Sequence, residues 1–313
     1  MSVNTIRAPR IVVLGSINMD LVVRCQDLPV AGQTILAESS REFCGGKGAN
    51  QAVAAALAGG EVSMIGAVGG DAFADRLIDN LKMRNVNCDA VWRCEDQASG
   101  LAVIAVDSRG QNSIMVVPGA NSAVTPERVR AVDSIIQAAN CLMVQLEIPL
   151  ESVLEGIRIA RSHGVQVILD PAPAPTDFPK TLLEVDLICP NETEATALTK
   201  LPVTTTEEAQ AAAIRLHAMG AKNVAITMGA HGTLLYCDGQ ATVVPAFGVD
   251  AIDTTAAGDA FAGALAVRWA QCGELRDAVL FANSAGAIAA SRSGAQDSIA
   301  THEEILKFGK LIR

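Results

Sequence analysis

The feature that most constrains this chain is a regular alternation of short aliphatic runs with amphipathic stretches. From about residue 126 onward, the aliphatic runs 141–146, 165–169 and 223–227 are separated by stretches with helical periodicity. An earlier run at 10–15 has the same aliphatic character and ends in glycine. Strands that are buried on both faces look like this, and intervening helices make such strands parallel. The sequence therefore predicts an α/β fold with a doubly wound, mostly parallel central sheet flanked by helices.

Two stretches interrupt this alternation, at about 19–44 and 97–120. They mix apolar and polar residues and contain turn signals at 29–32 and 107–110, so they are typical of β-hairpins. Each is too polar on one face for a buried parallel sheet. We expect them to form a small β-sheet lid on an α/β body. With no internal repeat and no low-complexity linker, we expect residues 1–313 to form a single domain.

Charge and composition argue against several classes of protein. The formal net charge is −10, and Lys and Arg are not clustered, so we expect no nucleic-acid partner. The eight cysteines include no C-x-x-C pair, which favours free thiols in a reducing compartment. No run reaches the ~18 apolar residues of a membrane span, and residues 1–10 lack the apolar stretch of a signal peptide. We therefore expect a cytoplasmic protein with no membrane contact.

The segment 253–261 (DTTAAGDAF) carries the strongest chemical signal. It is rich in small residues and opens a predicted helix, whose unpaired N–H groups and positive dipole end attract an anion. Asp259 falls in the first helical turn, where its carboxylate could accept a proton from a hydroxyl beside a bound phosphoryl group. An ordinary helix cap formed by Asp253 or Thr255 would explain the same residues.

A second glycine-rich segment, 44–51 (CGGKGANQ), also precedes a helix. It is not a Walker A loop, because Lys47 is followed by Gly48 rather than by Ser or Thr. Its glycines would let a ligand approach the backbone, and Lys47 and Asn50 offer hydrogen-bond donors. A tight turn without a ligand is the alternative.

Further polar residues follow predicted strands, where ligands of open α/β sheets bind. Asn18 and Asp20 lie two residues apart and could face one polyol, although turn chemistry could account for both. Asn191 and Glu194 have the spacing of a capping box, and Glu194 could alternatively hold a hydrated Mg²⁺. The segment 227–232 (TMGAHG) contains two glycines that would let a nucleotide approach.

Seven segments, in this order, resemble the ribokinase branch of the PfkB carbohydrate kinase family: residues 15–20, 45–51, 145–147, 171–174, 190–195, 253–259 and 294–296. The resemblance covers nearly the whole chain, from Gly15 to Ser298. It implies an ATP-dependent sugar kinase that phosphorylates the O5 hydroxyl of D-ribose, with Asp259 as the general base. A kinase of a related sugar such as deoxyribose, or of another PfkB-family substrate, is the alternative.

The resemblance also implies which residues bind each ligand. It assigns the sugar to Asn18, Asp20, Gly46, Lys47, Gly48, Asn50, Glu147 and Asp259. It assigns ATP to Asn191, Thr227, Met228, Gly229, Ala230, His231, Gly232, Gly258 and Asn283. An anion hole would be formed by Ala256, Ala257 and Gly258. Glu194 would hold Mg²⁺ through water, and a monovalent K⁺ site would be formed by Asp253, Thr255, Ala289, Arg292, Gly294 and Ser298. The family also suggests a homodimer that pairs through the lid.

Overall fold

A computed structural model of the protein describes residues 8–175 and 177–311 and contains two β-sheets with helices around the larger one. The strands are β1 (Arg10–Leu14), β2 (Asn18–Arg24), β3 (Ser39–Gly45), β4 (Glu61–Gly69), β5 (Val86–Cys94), β6 (Gly100–Val106), β7 (Asn112–Val117), β8 (Cys141–Val144), β9 (Gln166–Leu169), β10 (Leu187–Ile188), β11 (Asn223–Thr227), β12 (Thr233–Cys237) and β13 (Gln240–Val244). The α-helices are α1 (Lys47–Leu57), α2 (Ala72–Met83), α3 (Pro126–Ala131), α4 (Asp133–Gln137), α5 (Leu150–Ser162), α6 (Glu192–Thr199), α7 (Thr206–Met219), α8 (Ala257–Cys272), α9 (Leu275–Ala290) and α10 (His302–Leu311).

The large sheet has nine strands in the order β13-β12-β11-β10-β9-β8-β1-β4-β5. The pairs from β11 through to β5 are parallel, and β12 and β13 continue the sheet antiparallel at one edge. The prediction of a doubly wound, mostly parallel sheet is confirmed. After β1 the chain adds β4 and β5 on one side, and it then crosses to add β8 on the other. Ligands of such sheets bind at this switch in strand order.

Alternate residues of β1 point into two separate cores, which explains its unbroken aliphatic sequence. Ile11 and Val13 pack with the layer that contains α1, α2, α8 and α9, whereas Val12 and Leu14 pack with the layer that contains α3, α5 and α7. All four side chains are buried. Within the described ranges, no helix combines the length and the apolar character that crossing a bilayer would need.

The small sheet lies outside this body and has the strand order β3-β2-β6-β7. β2 pairs antiparallel with β3, and β6 with β7, as the two hairpin-like inserts predict. The central pair, β2 with β6, is parallel, a pairing that the sequence analysis did not foresee. Pairing β2 with β6 satisfies the inner edges of both inserts and leaves β3 and β7 as the edges of the small sheet.

The structure differs from the predicted elements at two further places. β5, which pairs with β4 at the edge of the large sheet, was not predicted. Exposed polar residues such as Asn87, Asp89 and Arg93 interrupt its apolar pattern, because an edge strand is only partly buried. The helical segment that opens the regular alternation at about residue 126 is divided into two helices, α3 and α4, at Val132.

Candidate active site

Polar side chains gather where the parallel strands of the large sheet end. Ser16 follows β1, Glu147 follows β8, Asp170 follows β9 and Asn191 follows β10. The carboxyl ends of parallel strands meet at one edge of the sheet, so these residues, far apart in sequence, are neighbours in space. The lid strand β2 begins at the same edge with Asn18.

Helix α1 begins so close to the end of β1 that two glycines are required there. Gly46 is the N-cap residue with φ 90°, and a Cβ on it would lie 2.7 Å from the backbone N of Asn18. A Cβ on Gly48 would lie 2.6 Å from the backbone of Gly15 and of Ser16. The glycine-rich segment therefore acts as a close-packing element that brings Lys47 and Asn50 to the end of β1.

Helix α8 begins without a side-chain cap. Its N-cap residue is Ala256, and the Asp253 carboxylate instead accepts hydrogen bonds from Thr255 N at 3.0 Å and Thr255 Oγ1 at 2.5 Å. Ala257 N donates to Thr254 O at 3.2 Å, and Ala260 N, bonded to Ala256 O, makes the first regular helical bond. The ordinary capped helix considered above is not what forms. The amides of Gly258 and Asp259 stay available for an anion.

Asp259 lies in the first turn of α8 with only 6% of its surface exposed. Its carboxylate accepts hydrogen bonds from Asn50 Nδ2 at 2.9 Å and from Gln51 Nε2 at 3.1 Å. Burial raises the pKa of Asp259, whereas the Lys47 charge and the two amides lower it, and the Glu147 charge raises it again. The carboxylate is thus oriented by two amide donors while retaining an increased affinity for a proton.

The amide of Asn50 is fixed by a chain of buried and half-buried side chains. Gln296 Nε2 donates to Asn50 Oδ1 at 3.0 Å, and Asn80 Nδ2 donates to Gln296 Oε1 at 2.6 Å. With its oxygen occupied, Asn50 must turn its NH₂ group toward Asp259. Sequence reasoning gave Asn80 and Gln296 no role, although 294–296 was one of the segments that carried the family resemblance.

A cavity of about 570 Å³ lies between the lid and the body, and Asp20 lines it. Burial, together with the negative charges of Glu147 and Asp259, raises the pKa of Asp20 to about 7. No described residue donates a hydrogen bond to its carboxylate. Hydroxyl groups of a ligand in the cavity could supply those donors.

Neighbouring side chains hold the other predicted sugar-binding groups in place. Asn121, which was not predicted, donates from Nδ2 to Asn18 Oδ1 at 2.7 Å and so leaves the Asn18 NH₂ group available. Glu147 accepts hydrogen bonds from Ser16 Oγ at 2.5 Å and from Lys47 N at 3.2 Å.

The Lys47 side chain is surrounded by carboxylates. Burial would lower its pKa, but the negative charges of Asp170, Asp259 and Glu147 outweigh burial and raise it. Lys47 therefore carries a positive charge at neutral pH. It is placed to offset negative charge at the end of the sheet.

A second cavity, of about 330 Å³, lies on the other side of the α8 N-terminus. Of the residues predicted to bind ATP, six line it: Thr227, Gly229, Ala230, Gly232, Gly258 and Asn283. Met228 is buried in the core instead, and His231 is exposed outside the cavity. The walls include Phe261 of α8 and the loop residues Phe247 and Val249. Sequence reasoning missed Phe247 and Val249 because an apolar loop residue carries no distinctive local pattern. The two cavities meet at Ala251 and Thr254, which line both.

The amide of Asn283 is fully engaged with the protein. Its Oδ1 accepts from Thr233 Oγ1 at 2.7 Å, and its Nδ2 donates to the carbonyls of Val244 at 3.1 Å and Pro245 at 3.0 Å. Asn283 thus anchors the end of β13 against α9. Its contact with an adenine stays a prediction.

Two loops of the predicted monovalent-cation site are joined. Gly294 N donates to Asp253 Oδ2 at 3.1 Å, and Ile252 N donates to Ala290 O at 2.8 Å. The Arg292 guanidinium turns away to Glu304 at 2.7 Å, which leaves only its carbonyl for a cation. Across 8–175 and 177–311, no three His, Cys, Asp or Glu side chains are grouped as a metal centre would need. A donor set made mainly of carbonyl oxygens suits K⁺ better than a small divalent ion.

Asn191 and Glu194 form the capping box considered above. Asn191 Oδ1 accepts from Glu194 N at 2.8 Å, and Asn191 N donates to Glu194 Oε2 at 2.9 Å. The backbone of Asn191 also bridges to that of Thr227, beside the second cavity. Glu194 keeps its other oxygen for a further ligand, so a water-bridged Mg²⁺ is compatible with the cap.

Comparison with known proteins points to one family. Residues 8–302 match the family model described as pfkB family carbohydrate kinase. A ribokinase from Schizosaccharomyces pombe is 41% identical over 94% of this chain and 96% of its own length. A deoxyribokinase from Salmonella typhimurium is 38% identical, over 95% of this chain and 98% of its own.

Two further similarities bear on the extent and shape of the chain. A bifunctional ribokinase/ribose-5-phosphate isomerase A from Fructilactobacillus sanfranciscensis is 40% identical over 95% of this chain, which spans 55% of that protein. The structure of Arabidopsis thaliana ribokinase complexed with ribose and ATP superimposes with a TM-score of 0.90 at 33% identity. That match covers 97% of this chain and 99% of the plant one.

Proposed function

Because the chain belongs to the pfkB family of carbohydrate kinases, we propose that it transfers the γ-phosphoryl group of ATP to the O5 hydroxyl of D-ribose. One observation carries this proposal. The buried Asp259 carboxylate is held by two amide donors at a helix N-terminus, and the two adjoining cavities meet at Thr254, five residues before it. The likeness to a ribokinase that was solved with ribose and ATP supports the same pair of substrates.

In this proposal the cavity beneath the lid holds the sugar. Asp20 accepts hydrogen bonds from two hydroxyls, since its carboxylate faces the cavity. Asn18 at the start of β2, Lys47 at the start of α1 and Glu147 after β8 contact the remaining hydroxyls. Gly46, Gly48 and Asn50 support this end of the site from the start of α1.

ATP then occupies the second cavity, with its triphosphate directed past Thr254 toward the N-terminus of α8. Asp259 takes the proton from the O5 hydroxyl as this oxygen attacks the γ-phosphorus. The bond between the γ-phosphorus and the bridging oxygen breaks, and ADP leaves with that electron pair. The Gly258 and Asp259 amides and the Lys47 charge stabilise negative charge on the transferring group. Closure of the lid would exclude water, which competes as acceptor.

Two ions belong to the proposal. Glu194 would hold Mg²⁺ through water, and bound Mg²⁺ neutralises phosphate charge during transfer. Asp253, Thr255, Ala289, Arg292, Gly294 and Ser298 would hold K⁺, mostly through carbonyl oxygens. Because the Asp253 loop leads directly into α8, a cation there would fix the position of the helix N-terminus.

A related sugar is the second candidate, since a deoxyribokinase is 38% identical, which lies between the 37% and 41% of two ribokinases. Deoxyribose lacks one hydroxyl, so a site built around Asp20 and Asn18 favours ribose if both side chains bind adjacent hydroxyls. The scarcity of aromatic residues, 3% of the chain, argues against a stacked nucleoside acceptor.

The test is a panel of ribose, 2-deoxyribose, fructose 6-phosphate and adenosine, each with ATP and Mg²⁺ and with ADP release as the readout. We expect the highest kcat/KM with ribose and further activation when K⁺ replaces a large organic cation. Higher kcat/KM with deoxyribose would transfer the proposal to that sugar. ADP release with none of the four would overturn it.

We also propose a homodimer that pairs through the lid. All six residues of β7 are exposed, and Met115 and Val117 are 62% and 54% exposed on the face turned away from the cavity. An apolar edge strand of this kind needs a cover. A cytoplasmic location stays a prediction.

A further inference from the structure

A second buried carboxylate, Asp170, contacts the same amide nitrogen as Asp259, and the reaction described above gives it no role. Asp170 directly follows β9 and is only 9% exposed. Gln51 Nε2 donates to Asp170 Oδ2 at 2.6 Å and to Asp259 Oδ1 at 3.1 Å. The Gln51 NH₂ group thus donates one hydrogen bond to each of the two carboxylates.

The orientation of the Gln51 amide is determined by three partners. On its other side, Gln51 Oε1 accepts from Gln145 Nε2 at 2.5 Å. A flipped amide would face two carboxylates with its oxygen and Gln145 with its NH₂ group, so all three contacts would become repulsive. Asp170 supplies the shortest of the bonds that Gln51 donates. Asp170 therefore fixes the orientation of the Gln51 NH₂ group, which also donates to Asp259.

The groups that face Asp170 are Lys47, Glu194, Asp259 and the thiol of Cys189. Burial raises the pKa of Asp170 to about 7, the Lys47 charge opposes this rise, and Glu194 and Asp259 add to it. Burial, with Asp170 nearby, raises the pKa of Cys189 as well, so that residue stays a neutral thiol. Above neutral pH, Asp170 places a second negative charge one amide away from Asp259.

We propose that Asp170 is a positioning residue that acts through Gln51 to orient the hydrogen bond donated to Asp259. The inference rests on the proposed function, because its effect is measured in phosphoryl transfer. Two neighbours of Asp259 then act on its proton affinity in opposite directions. Gln51 stabilises the charged form of Asp259, whereas the Asp170 charge disfavours it.

Two substitutions separate these influences. Asp170→Asn keeps an acceptor for Gln51 and removes the charge, so the acid limb of the kcat–pH profile should move down by ~0.5–1 unit. Gln51→Leu removes the donor, so the acid limb should move up and kcat should fall ~10-fold or more. KM for ribose and for ATP should stay within ~3-fold for Asp170→Asn, because Asp170 is assigned no ligand contact. Opposite shifts are not expected from packing defects alone.

The experiment measures kcat between pH 5 and 9 at saturating ribose and ATP for the wild type and both variants. The matched control is Asp186→Asn, which removes a carboxylate at the opposite end of β9, where Asp186 Oδ2 accepts from Val167 N at 3.0 Å. The control should leave the acid limb in place. Thermal unfolding by circular dichroism verifies that each variant is folded.

An Asp170→Asn profile that coincides with that of Asp186→Asn would overturn the inference, as would shifts of both site variants in one direction. If Asp170→Asn does not fold, Asp170→Ser, which also removes the charge and keeps an oxygen acceptor, takes its place, and a wild-type kcat with an unmoved acid limb in that variant overturns the inference. If the wild type is active but the acid limb is unshifted in both variants, the inference about Asp170 is wrong and the proposed function stands. A wild type that phosphorylates none of the sugars overturns the proposed function and this inference together.

Discussion

Two features of the surroundings of the Asp259 carboxylate change its affinity for a proton in opposite directions. It is buried, which favours the protonated form, and it lies in the first turn of a 16-residue helix, whose dipole favours the charged form. Lys47, Asn50 and Gln51 add to the second effect. A base balanced in this way can be ionised before the reaction and still take a proton during it.

Asp259→Asn should lower kcat by ~10²–10⁴-fold, because a carboxamide cannot take the O5 proton. The amide keeps one oxygen, which can accept from either Asn50 or Gln51, so one of the two hydrogen bonds is retained and the fold and ligand binding should persist. Steady-state kinetics, with calorimetric titration of ribose and of ATP, checks both halves of this expectation. Turnover within a few-fold of the wild type would remove Asp259 from the role of general base.

Asp20 should make sugar binding depend on pH. Its pKa of about 7 means that it is protonated below neutral pH in the free protein. The ionised form accepts hydrogen bonds from two hydroxyls and the protonated form accepts fewer, so ribose affinity should weaken as pH falls below about 7. Titration calorimetry without ATP from pH 5.5 to 8.5 measures this. In Asp20→Asn, affinity should be lower and should lack this dependence. A constant wild-type Kd across the range would contradict the assignment.

Single residues of the site were partly predictable from sequence. Asn50 and Asp259 stand in glycine-rich segments at helix starts, and the structure brings them into contact. The bonds of Gln51 to Asp170, and of Gln296 to Asn50, join residues 119 and 246 positions apart. No local pattern encodes such pairs, because they arise only when distant parts of the chain, here α1 with the end of β9 and with residues 296–298, pack together in the fold.

At the scale of elements, α1 and α8 approach each other through small residues and begin at the same site. A Cβ on Gly263 of α8 would lie 2.5 Å from Ala54 Cβ on α1, so the two helices are in close contact. Both N-termini are therefore held by a packed interface that begins one helical turn from Asn50 and Asp259. This places Asn50 and Asp259 within hydrogen-bond distance before any substrate binds.

The glycines at the two helix starts should respond differently to substitution. Gly48→Ala places a Cβ 2.6 Å from backbone atoms that cannot move independently, so it should lower the melting temperature and activity together. A Cβ on Gly258 meets no atom within 4 Å, so Gly258→Ala should keep the melting temperature and raise KM for ATP by narrowing the nucleotide cavity. Calorimetry measures the melting temperature of both variants, and titration with ATP measures their KM for ATP. Equal melting temperatures for the two variants would contradict this account.

Elements were predicted well where burial was complete and less well where it was partial. The strands with two buried faces, such as β1 and β8, stand out as aliphatic runs. β5 was missed because one of its sides is exposed, and its polar residues resemble a loop. The parallel pairing of β2 with β6 depends on how two distant inserts meet, which periodicity within either insert does not specify.

At the scale of the whole molecule, the lid is the part with the least cover. Leu21, Val23 and Val103 are only half-buried and share the outward face with Met115 and Val117. The large sheet, by contrast, has helices on both faces. The lid is therefore where a second copy of the chain would remove the most apolar surface from water.

Lysine substitutions on that face should dissociate the proposed dimer. Met115→Lys combined with Val117→Lys puts two charges into the expected interface, and light scattering coupled to gel filtration should then report a monomer. Ile214→Lys is the matched control, since Ile214 is 45% exposed on α7, away from the lid, and should leave the mass unchanged. If the lid variant remains a dimer, the interface lies elsewhere on the molecule. If the wild type is a monomer, the proposed dimer is wrong.

The parallel pair at the centre of the lid also has a consequence for the order in which the fold opens. β2 cannot complete its pairing until β6 has been synthesised, and 81 residues separate Cys25 from Val106, which meet at the end of this pair. Closing such a loop costs chain entropy, and the pairing of β1 with β8 closes a longer one, but helices cover both faces of β1 and β8 whereas the outward face of the lid is uncovered, so the lid should open first. Amide hydrogens of β2 and β6 should accordingly exchange with solvent faster than those of β1 and β8. The part of the protein that covers the cavity beneath the lid is, on this view, also the part whose backbone hydrogen bonds open most readily.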